Sequence, residues 1–265
     1  MNTQAILYAV AALGGLGILF GLVLTFADKK FAVPADERFT LVREAVAGAN
    51  CGACGYPGCD AYSDAVVKGM AAIDLCTPGG QKTLNALAEI MQQETADIEV
   101  QVARVLCQGE TGVVKPRFDY SGYQTCHTAV SLSGGPTLCT WGCVGLADCV
   151  RVCRFDAMKI VNGIVQIDED KCTACGMCVK ECPRAVIKLL PKAARVTVRC
   201  QNAAPPREAR MVCDKSCIAC KRCEKACQYD AIHVIDNCAI IEPEKCTLCG
   251  ECVKVCPTKC IEQLA

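Results

Sequence analysis

An α+β fold is predicted for this chain: one membrane-spanning helix at the N-terminus, a small helical module carrying four cysteines, and two tandem copies of a compact cysteine-built repeat. Three observations predict it. Residues 5–27 carry no charged side chain. Twenty-six cysteines fall in 265 residues, most of them at short fixed spacings. The spacing that runs from Cys139 to Pro183 returns from Cys213 to Pro257.

Taking the elements in order, the 23 uncharged residues Ala5–Ala27 span about 34 Å as a helix, enough to cross a hydrocarbon layer of about 30 Å. A cleavable signal peptide is the competing reading. It fits badly, because no positive charge precedes the run and the run is too long for such a segment. Lys29 and Lys30 follow the helix and no Lys or Arg precedes it, so the positive-inside tendency places the N-terminus outside and the rest in the cytoplasm. Gly14, Gly17 and Gly21 give another helix room to approach. The span holds no Asp, Glu, Lys, Arg or His, so this helix alone forms no ion path. Residues 1–30 are therefore the anchor.

Residues 31–95 form the second module. A linker around Pro34 leads to Asp36, which can cap a helix with Phe39, Val42 and Val46 on one face. Then come Cys51, Cys54, Cys59 and Cys76, spaced Cys-x2-Cys-x4-Cys-x16-Cys, with Gly52, Gly55 and Gly58 permitting tight turns. They read as ligands of one [4Fe–4S] site; zinc satisfies the same ligand count. A helix is expected over residues 80–94, with Leu84, Leu87, Ala88 and Met91 on one face. Within 96–138, Ile98, Val100, Val102 and Val105 suggest a strand ending at Cys107, followed by an extended Gly-, Pro- and Ser-rich connection that contains Cys126.

Residues 139–192 and 193–265 are the two repeats. Each contains the bacterial ferredoxin run Cys-x2-Cys-x2-Cys-x3-Cys-Pro: Cys172, Cys175, Cys178, Cys182-Pro183 in the first, and Cys246, Cys249, Cys252, Cys256-Pro257 in the second. In such runs the fourth cysteine ligates the other cluster of a pair. The second repeat then gives two sets: Cys217, Cys220, Cys223 with Cys256, and Cys246, Cys249, Cys252 with Cys227. The first gives Cys172, Cys175, Cys178 with Cys153. Its mate has Cys143, Cys149 and Cys182, but Leu146 stands where the middle cysteine belongs; Cys139 is the natural substitute, with the loop following a different path. Twenty cysteines thus hold five [4Fe–4S] clusters. Cys107, Cys126, Cys200, Cys213, Cys238 and Cys260 are left over. Buried free cysteine is an ordinary small hydrophobe, yet Cys126 and Cys200 precede Cys139 and Cys213 by the same interval, which leaves room for a sixth cluster. Trp141 is expected beside a cluster loop and His233 in a strand; His127 has no partner pattern.

Zinc and disulfides are the alternatives to iron. Zinc knuckles use two separated pairs, which leaves runs of three plus one ending in Cys-Pro unexplained. Disulfide scaffolds are usually short secreted chains, and thiolates committed to clusters need a reducing compartment. Lys plus Arg and Asp plus Glu both total 28, so charge gives no sign of nucleic acid. Residues 31–140 carry 7 basic and 12 acidic side chains against 12 and 9 over 191–265. The stretch from Arg207 to Lys225 is either a docking patch for an acidic carrier or solvated surface.

An anchor helix, then Asn50-Cys51-Gly-Ala-Cys54-Gly-Tyr-Pro-Gly-Cys59, then Cys76-Thr-Pro-Gly-Gly, then Trp141-Gly-Cys143-Val-Gly-Leu and two Cys-Pro runs, closely resembles the B-subunit family of Rnf complexes over essentially the whole chain. The resemblance implies a component of an ion-translocating ferredoxin:NAD⁺ oxidoreductase of the bacterial cytoplasmic membrane. Such a component takes electrons from soluble ferredoxin and passes them to membrane partner subunits that export Na⁺ or H⁺. NAD and flavin then belong to another subunit, and no Gly-x-Gly-x-x-Gly follows a strand here. A tether of another respiratory complex is one alternative. A reductive activator of a corrinoid protein is another, since the four-cysteine motif also occurs there, but the chain has no Asp-x-His-x-x-Gly and no room for a corrinoid domain.

Overall fold

The computed structural model describes residues 3–31, 36–95 and 97–264, and the chain divides into compact units at 1–40 and 41–265. In the first unit, helix α1 (Thr3–Phe31) continues past the apolar stretch. Its window Val10–Ala27 has a mean hydropathy of 2.3 and none of it is buried. Leu13, Phe20 and Leu24 are each more than half exposed, a surface that water does not favour and lipid does. The one hydroxyl in that window is satisfied within the helix: Thr25 Oγ1 donates to the Gly21 carbonyl at 2.7 Å. The linker expected around Pro34 lies outside the described residues. Asp36 caps helix α2 (Glu37–Ala45) as its position suggests, its Oδ1 accepting the Arg38 N–H at 2.9 Å.

In the second unit, residues from Val42 to Ile98 build one small helical core. Val42 and Val46 pack with Tyr62 and Val66 of α3 (Cys59–Val67) and with Leu84 and Leu87 of α4 (Gly80–Met91). Tyr62 is buried to 1 % exposure, and its hydroxyl donates to the Ala72 carbonyl at 2.9 Å. Helix α4 stops three residues short of the expected end because Gln92 turns left-handed (φ 53°) and closes it.

The first repeat comprises β1 (Gln101–Val105), α5 (Cys126–Ser131), α6 (Asp148–Arg151), β2 (Met158–Val161), β3 (Ile164–Ile167), α7 (Met177–Glu181) and β4 (Ile187–Pro191). The second comprises β5 (Val196–Val198), α8 (Pro206–Val212), α9 (Arg222–Ala226), β6 (Ile232–Ile235), β7 (Cys238–Ile241), α10 (Glu251–Val255) and β8 (Ile261–Gln263). Both have one plan. An inner antiparallel hairpin, β2–β3 or β6–β7, is flanked by an outer antiparallel pair, β1–β4 or β5–β8. The hairpins close through Asn162-Gly163 (φ 50° and 76°) and Asp236-Asn237 (φ 47° and 62°), the doubly left-handed geometry that suits two-residue turns. His233 lies in β6 as expected.

Backbone pairing runs across the boundary expected at residue 139. Val105 opposes Ile187 and Gln101 opposes Pro191, so β1 is the outer strand of the first repeat rather than part of a connection. The register also changes the internal alignment. Val105-Leu106-Cys107-Gln108 follows β1 as Val198-Arg199-Cys200-Gln201 follows β5, which makes Cys107, not Cys126, the counterpart of Cys200.

Candidate metal centres

Three cysteine runs share one backbone path. The residues on either side of the middle cysteine are left-handed in each: Ala174 and Gly176 (φ 54° and 73°), Ala219 and Lys221 (φ 50° and 57°), Leu248 and Gly250 (φ 61° and 75°). Non-glycine residues adopt this conformation at a cost. Its repetition shows what the spacing demands, a loop wound so that three sulfurs face one point. Each run then enters a short helix and leaves it at Cys182, Cys227 or Cys256, whose extended backbone (ψ 111°, 116° and 113°) turns the fourth thiol away. Pro183 and Pro257 enforce the exit, since the residue before proline avoids helical geometry.

The cavities follow the crossing of the fourth thiols. Cys172, Cys175 and Cys178 line one together with Cys153, and Cys246, Cys249 and Cys252 line another with Cys227. The Ala103 N–H of β1 donates to Cys172 Sγ at 3.3 Å and the Ala231 N–H to Cys227 Sγ at 3.4 Å. Cys217, Cys220 and Cys256 lie close enough to Cys223 to act on its thiol electrostatically.

The fourth run departs from the sequence reading. Gly145 and Ala147 are left-handed (φ 80° and 67°) on either side of Leu146, so this loop follows the same path as the others and not a different one. Gly145 has no alternative there, because a Cβ would run into the Gly163 carbonyl oxygen. Leu146 holds the place of the middle cysteine, and the Cys126 thiol lies against this loop. Cys126, Cys143, Cys149 and Cys182 line one cavity, and Cys139 does not reach it. The cavity groups Cys126, and not the expected Cys139, with Cys143, Cys149 and Cys182. The Leu146 and Asp148 backbone N–H groups donate to the Cys126 sulfur. Helix α5 brings that thiol in: Thr125 Oγ1 accepts the Thr128 N–H at 3.2 Å, the His127 N–H reaches Asp148 Oδ2 at 3.1 Å, and His127 Nε2 lies 2.9 Å from the Glu181 carbonyl.

In the helical module Asn50 (φ 47°) folds the loop, its Oδ1 accepting the Cys59 N–H at 2.8 Å. Cys76 lies within electrostatic reach of Cys59 and Cys51, and the Ala47 and Gly79 N–H groups donate to its sulfur. Burial pushes four of these thiols well up, Cys149 and Cys178 to about 12 and Cys223 and Cys252 to about 11. Such groups stay protonated until a cation replaces the proton. Converging thiols in enclosed apolar loops, with N–H groups aimed at sulfur, fit iron–sulfur clusters in the donor set and its surroundings.

The leftover cysteines are not scattered. Cys238 Sγ donates to the Cys200 carbonyl at 3.2 Å beside the Cys200 and Cys217 sulfurs, and Cys260 lies against Cys217 and Cys256, its Sγ 3.6 Å from that of Cys256. These sulfur contacts hold Cys200 and Cys256 below the ordinary thiol range and drive Cys238 and Cys260 above it. Ile164 and Val186 occupy the matching positions of the first repeat.

Residues 47–78 match the family model described as "Putative Fe-S cluster", and residues 165–188, 214–233 and 239–262 match "4Fe-4S binding domain". The B subunit of the Na(+)-translocating ferredoxin:NAD(+) oxidoreductase complex of Acetobacterium woodii is 46% identical over 97% of this chain and 78% of its own length. The B subunit of the ion-translocating oxidoreductase complex of Methanosarcina acetivorans is 35% identical over 98% of this chain and 99% of its own length. The B subunit of the proton-translocating ferredoxin:NAD(+) oxidoreductase complex of Clostridium ljungdahlii is 36% identical over 100% and 94%. This chain belongs to the B-subunit family of these Rnf-type complexes. Membership of that family agrees with the bare apolar helix in pointing to membrane association. The three matches to the 4Fe-4S binding domain span Cys172–Cys182, Cys217–Cys227 and Cys246–Cys256.

Proposed function

We propose that this chain is the membrane-anchored electron-transfer subunit of an ion-translocating ferredoxin:NAD⁺ oxidoreductase. It takes electrons from reduced ferredoxin and passes them to membrane partner subunits. Five [4Fe–4S] clusters are held by Cys51, Cys54, Cys59, Cys76; by Cys153, Cys172, Cys175, Cys178; by Cys126, Cys143, Cys149, Cys182; by Cys217, Cys220, Cys223, Cys256; and by Cys227, Cys246, Cys249, Cys252. The observation that carries this reading is the exchange of fourth ligands, in which separate cavities pair Cys153 with the Cys172 run and Cys227 with the Cys246 run. When bound, such clusters supply one-electron redox chemistry. The chain supplies thiolates, N–H donors to sulfur and exclusion of water, which tune potentials.

The helical module joins the same route. Cys51 lies within electrostatic reach of Cys175, and Arg154 Nη1 donates to the Ala49 carbonyl at 2.7 Å. At the other end Cys220 is exposed beside exposed Lys221, Arg222 and Lys225, where an acidic carrier can approach. The positive-inside charges at Lys29 and Lys30 support a single-pass anchor with the clusters on the cytoplasmic face of the membrane. Ion translocation and the NAD⁺ site fall to partner subunits. The test is anaerobic isolation of the complex followed by ferredoxin-dependent NAD⁺ reduction, with EPR during stepwise reduction of this chain. Several [4Fe–4S] signals are expected; a redox-silent chain holding zinc would defeat the reading.

Replacing Cys260 with valine, the apolar choice of the first repeat, is expected to keep iron content unchanged and to lower the midpoint potential of the cluster at Cys217 and Cys256. An S–H donor stabilises the more negative reduced state, so its loss disfavours reduction. A tenfold effect corresponds to about 59 mV for one electron. Potentiometric EPR titration reads it, and an unmoved potential would assign Cys260 to packing alone.

A further inference from the structure

Four cysteines outside these five sets meet at the junction of the repeats. Cys107 and Cys139 come from the first repeat, Cys200 and Cys213 from the second, and all four line one cavity. The junction is tied by backbone pairing between Val114 and Cys213, with the Lys115 N–H on the Val212 carbonyl at 3.0 Å and the Asp214 N–H on the Val113 carbonyl at 3.2 Å.

The two halves are equivalent by construction. Cys107 and Cys200 each follow an outer strand by two residues; Cys139 and Cys213 each precede a ligand cysteine by the same Cys-x3-Cys step. Their hydrogen bonds match as well. Cys107 Sγ accepts from the Gly109 N–H at 3.3 Å and the Cys143 N–H at 3.4 Å. Cys200 Sγ accepts from the Asn202 N–H at 3.5 Å and the Cys217 N–H at 3.3 Å. The Trp141 and Gly142 N–H groups donate to the Cys139 sulfur, and that of Lys215 to the Cys213 sulfur. Gly142 keeps the space open, since a Cβ there would lie 3.1 Å from Cys107 Sγ and 3.5 Å from Cys139 Sγ. Cations stand behind the thiols: Arg184 Nη1 donates to the carbonyls of Cys139 (3.0 Å) and Gly142 (2.7 Å), and Arg199 Nη2 to that of Cys107 (3.1 Å). Burial favours the neutral thiol at Cys107, Cys139 and Cys213, and N–H donors aimed at such sulfurs suit thiolates held by a metal, which packing alone does not require.

We propose that Cys107, Cys139, Cys200 and Cys213 hold a sixth [4Fe–4S] cluster that bridges the two repeats. The proposal rests on the five-cluster reading, because its meaning lies in what flanks it. Cys143, a ligand of the neighbouring set, touches Cys107 through its own N–H, and Cys217 touches Cys200 in the same way on the other side. The bridge makes two pairs into one line, along which each hop oxidises one cluster and reduces the next by one electron, from a ferredoxin-class donor to a membrane partner.

Four thiolates also suit zinc, so the test counts metals. Full-length protein purified without oxygen is expected to contain about 24 irons per chain, quantified by elemental analysis and Mössbauer spectroscopy. The Cys107→Ala/Cys213→Ala double variant is expected to contain about 20, with the EPR signals of the flanking clusters retained. The wild-type count needs no variant to fold. About 20 irons in the wild type, one zinc per chain at this site, or a double variant that loses no iron would each overturn the bridge. A wild type with no reducible [4Fe–4S] signal would instead overturn the five-cluster reading on which it stands.

Discussion

Cys126→Ala is expected to remove about four irons per chain and to leave the Cys143–Cys149 loop without its fixed path. Cys126 is 8 % exposed and sits at the start of α5, held against Leu146 and Asp148 by N–H donors to its sulfur. The loop it faces has a left-handed non-glycine residue, Ala147, a strained arrangement that loses its main support once the metal is gone. The scale of the loss is set by structural metal sites, where binding contributes about 10–16 kcal/mol to small zinc domains. A whole domain is stable by only about 5–15 kcal/mol, so the outer part of the first repeat should become protease-sensitive. Cys126→Val separates a ligand from a filler. A buried apolar residue of similar size normally costs under about 1.5 kcal/mol, so a filler would tolerate valine, whereas a ligand would lose iron as alanine does. Full iron in both variants would return Cys139 to the set.

The contrast between Cys126 and the ferredoxin runs explains how far the sequence could be read. In Cys172–Cys182 successive cysteines lie three or four positions apart, and left-handed turns at Ala174 and Gly176 follow from that spacing alone. The same holds for Cys217–Cys223 and Cys246–Cys252, and the uncharged stretch of α1 needs only composition. Cys126 is different, because its approach to Leu146 depends on α5 docking through His127 onto Asp148 and Glu181, contacts between segments far apart in sequence. Strand β1 is legible as a strand, but its partner β4 lies beyond both cysteine loops, so its membership of the first repeat is not. One local signal does reach that far. Val-x-Cys-Gln occurs at Val105–Gln108 and again at Val198–Gln201, and it aligns the repeats better than the equal interval from Cys126 to Cys139 and from Cys200 to Cys213.

Arg104→Ala should destabilise the junction between the repeats by about 3–5 kcal/mol, the cost of breaking a buried ion pair from one side. Arg104 lies in β1 and is 4 % exposed. Its Nε donates to Glu169 Oε1 at 3.0 Å, and its Nη2 to the Lys192 carbonyl at 3.1 Å. Its Nη1 donates to the Ala194 carbonyl. One guanidinium thus fastens the first outer strand, the segment after β3 and the linker that leads into β5. Alanine leaves two carbonyls without their donor and Glu169 with a single cation, Arg195, whose Nη1 lies 2.9 Å from Oε2. That surviving partner keeps the cost near the lower bound. Lysine, a single point of charge, cannot reach all three acceptors and should recover only part of the loss. The effect should persist at high salt, because a pair this enclosed is poorly screened. Urea unfolding of the holoprotein should show a midpoint lower by about 1–2 M, with hydrogen-exchange protection lost first at residues 192–197. A shift within about 0.5 kcal/mol, typical of a surface substitution, would mean that the repeats are held together by the sulfur-lined junction and not by this arginine.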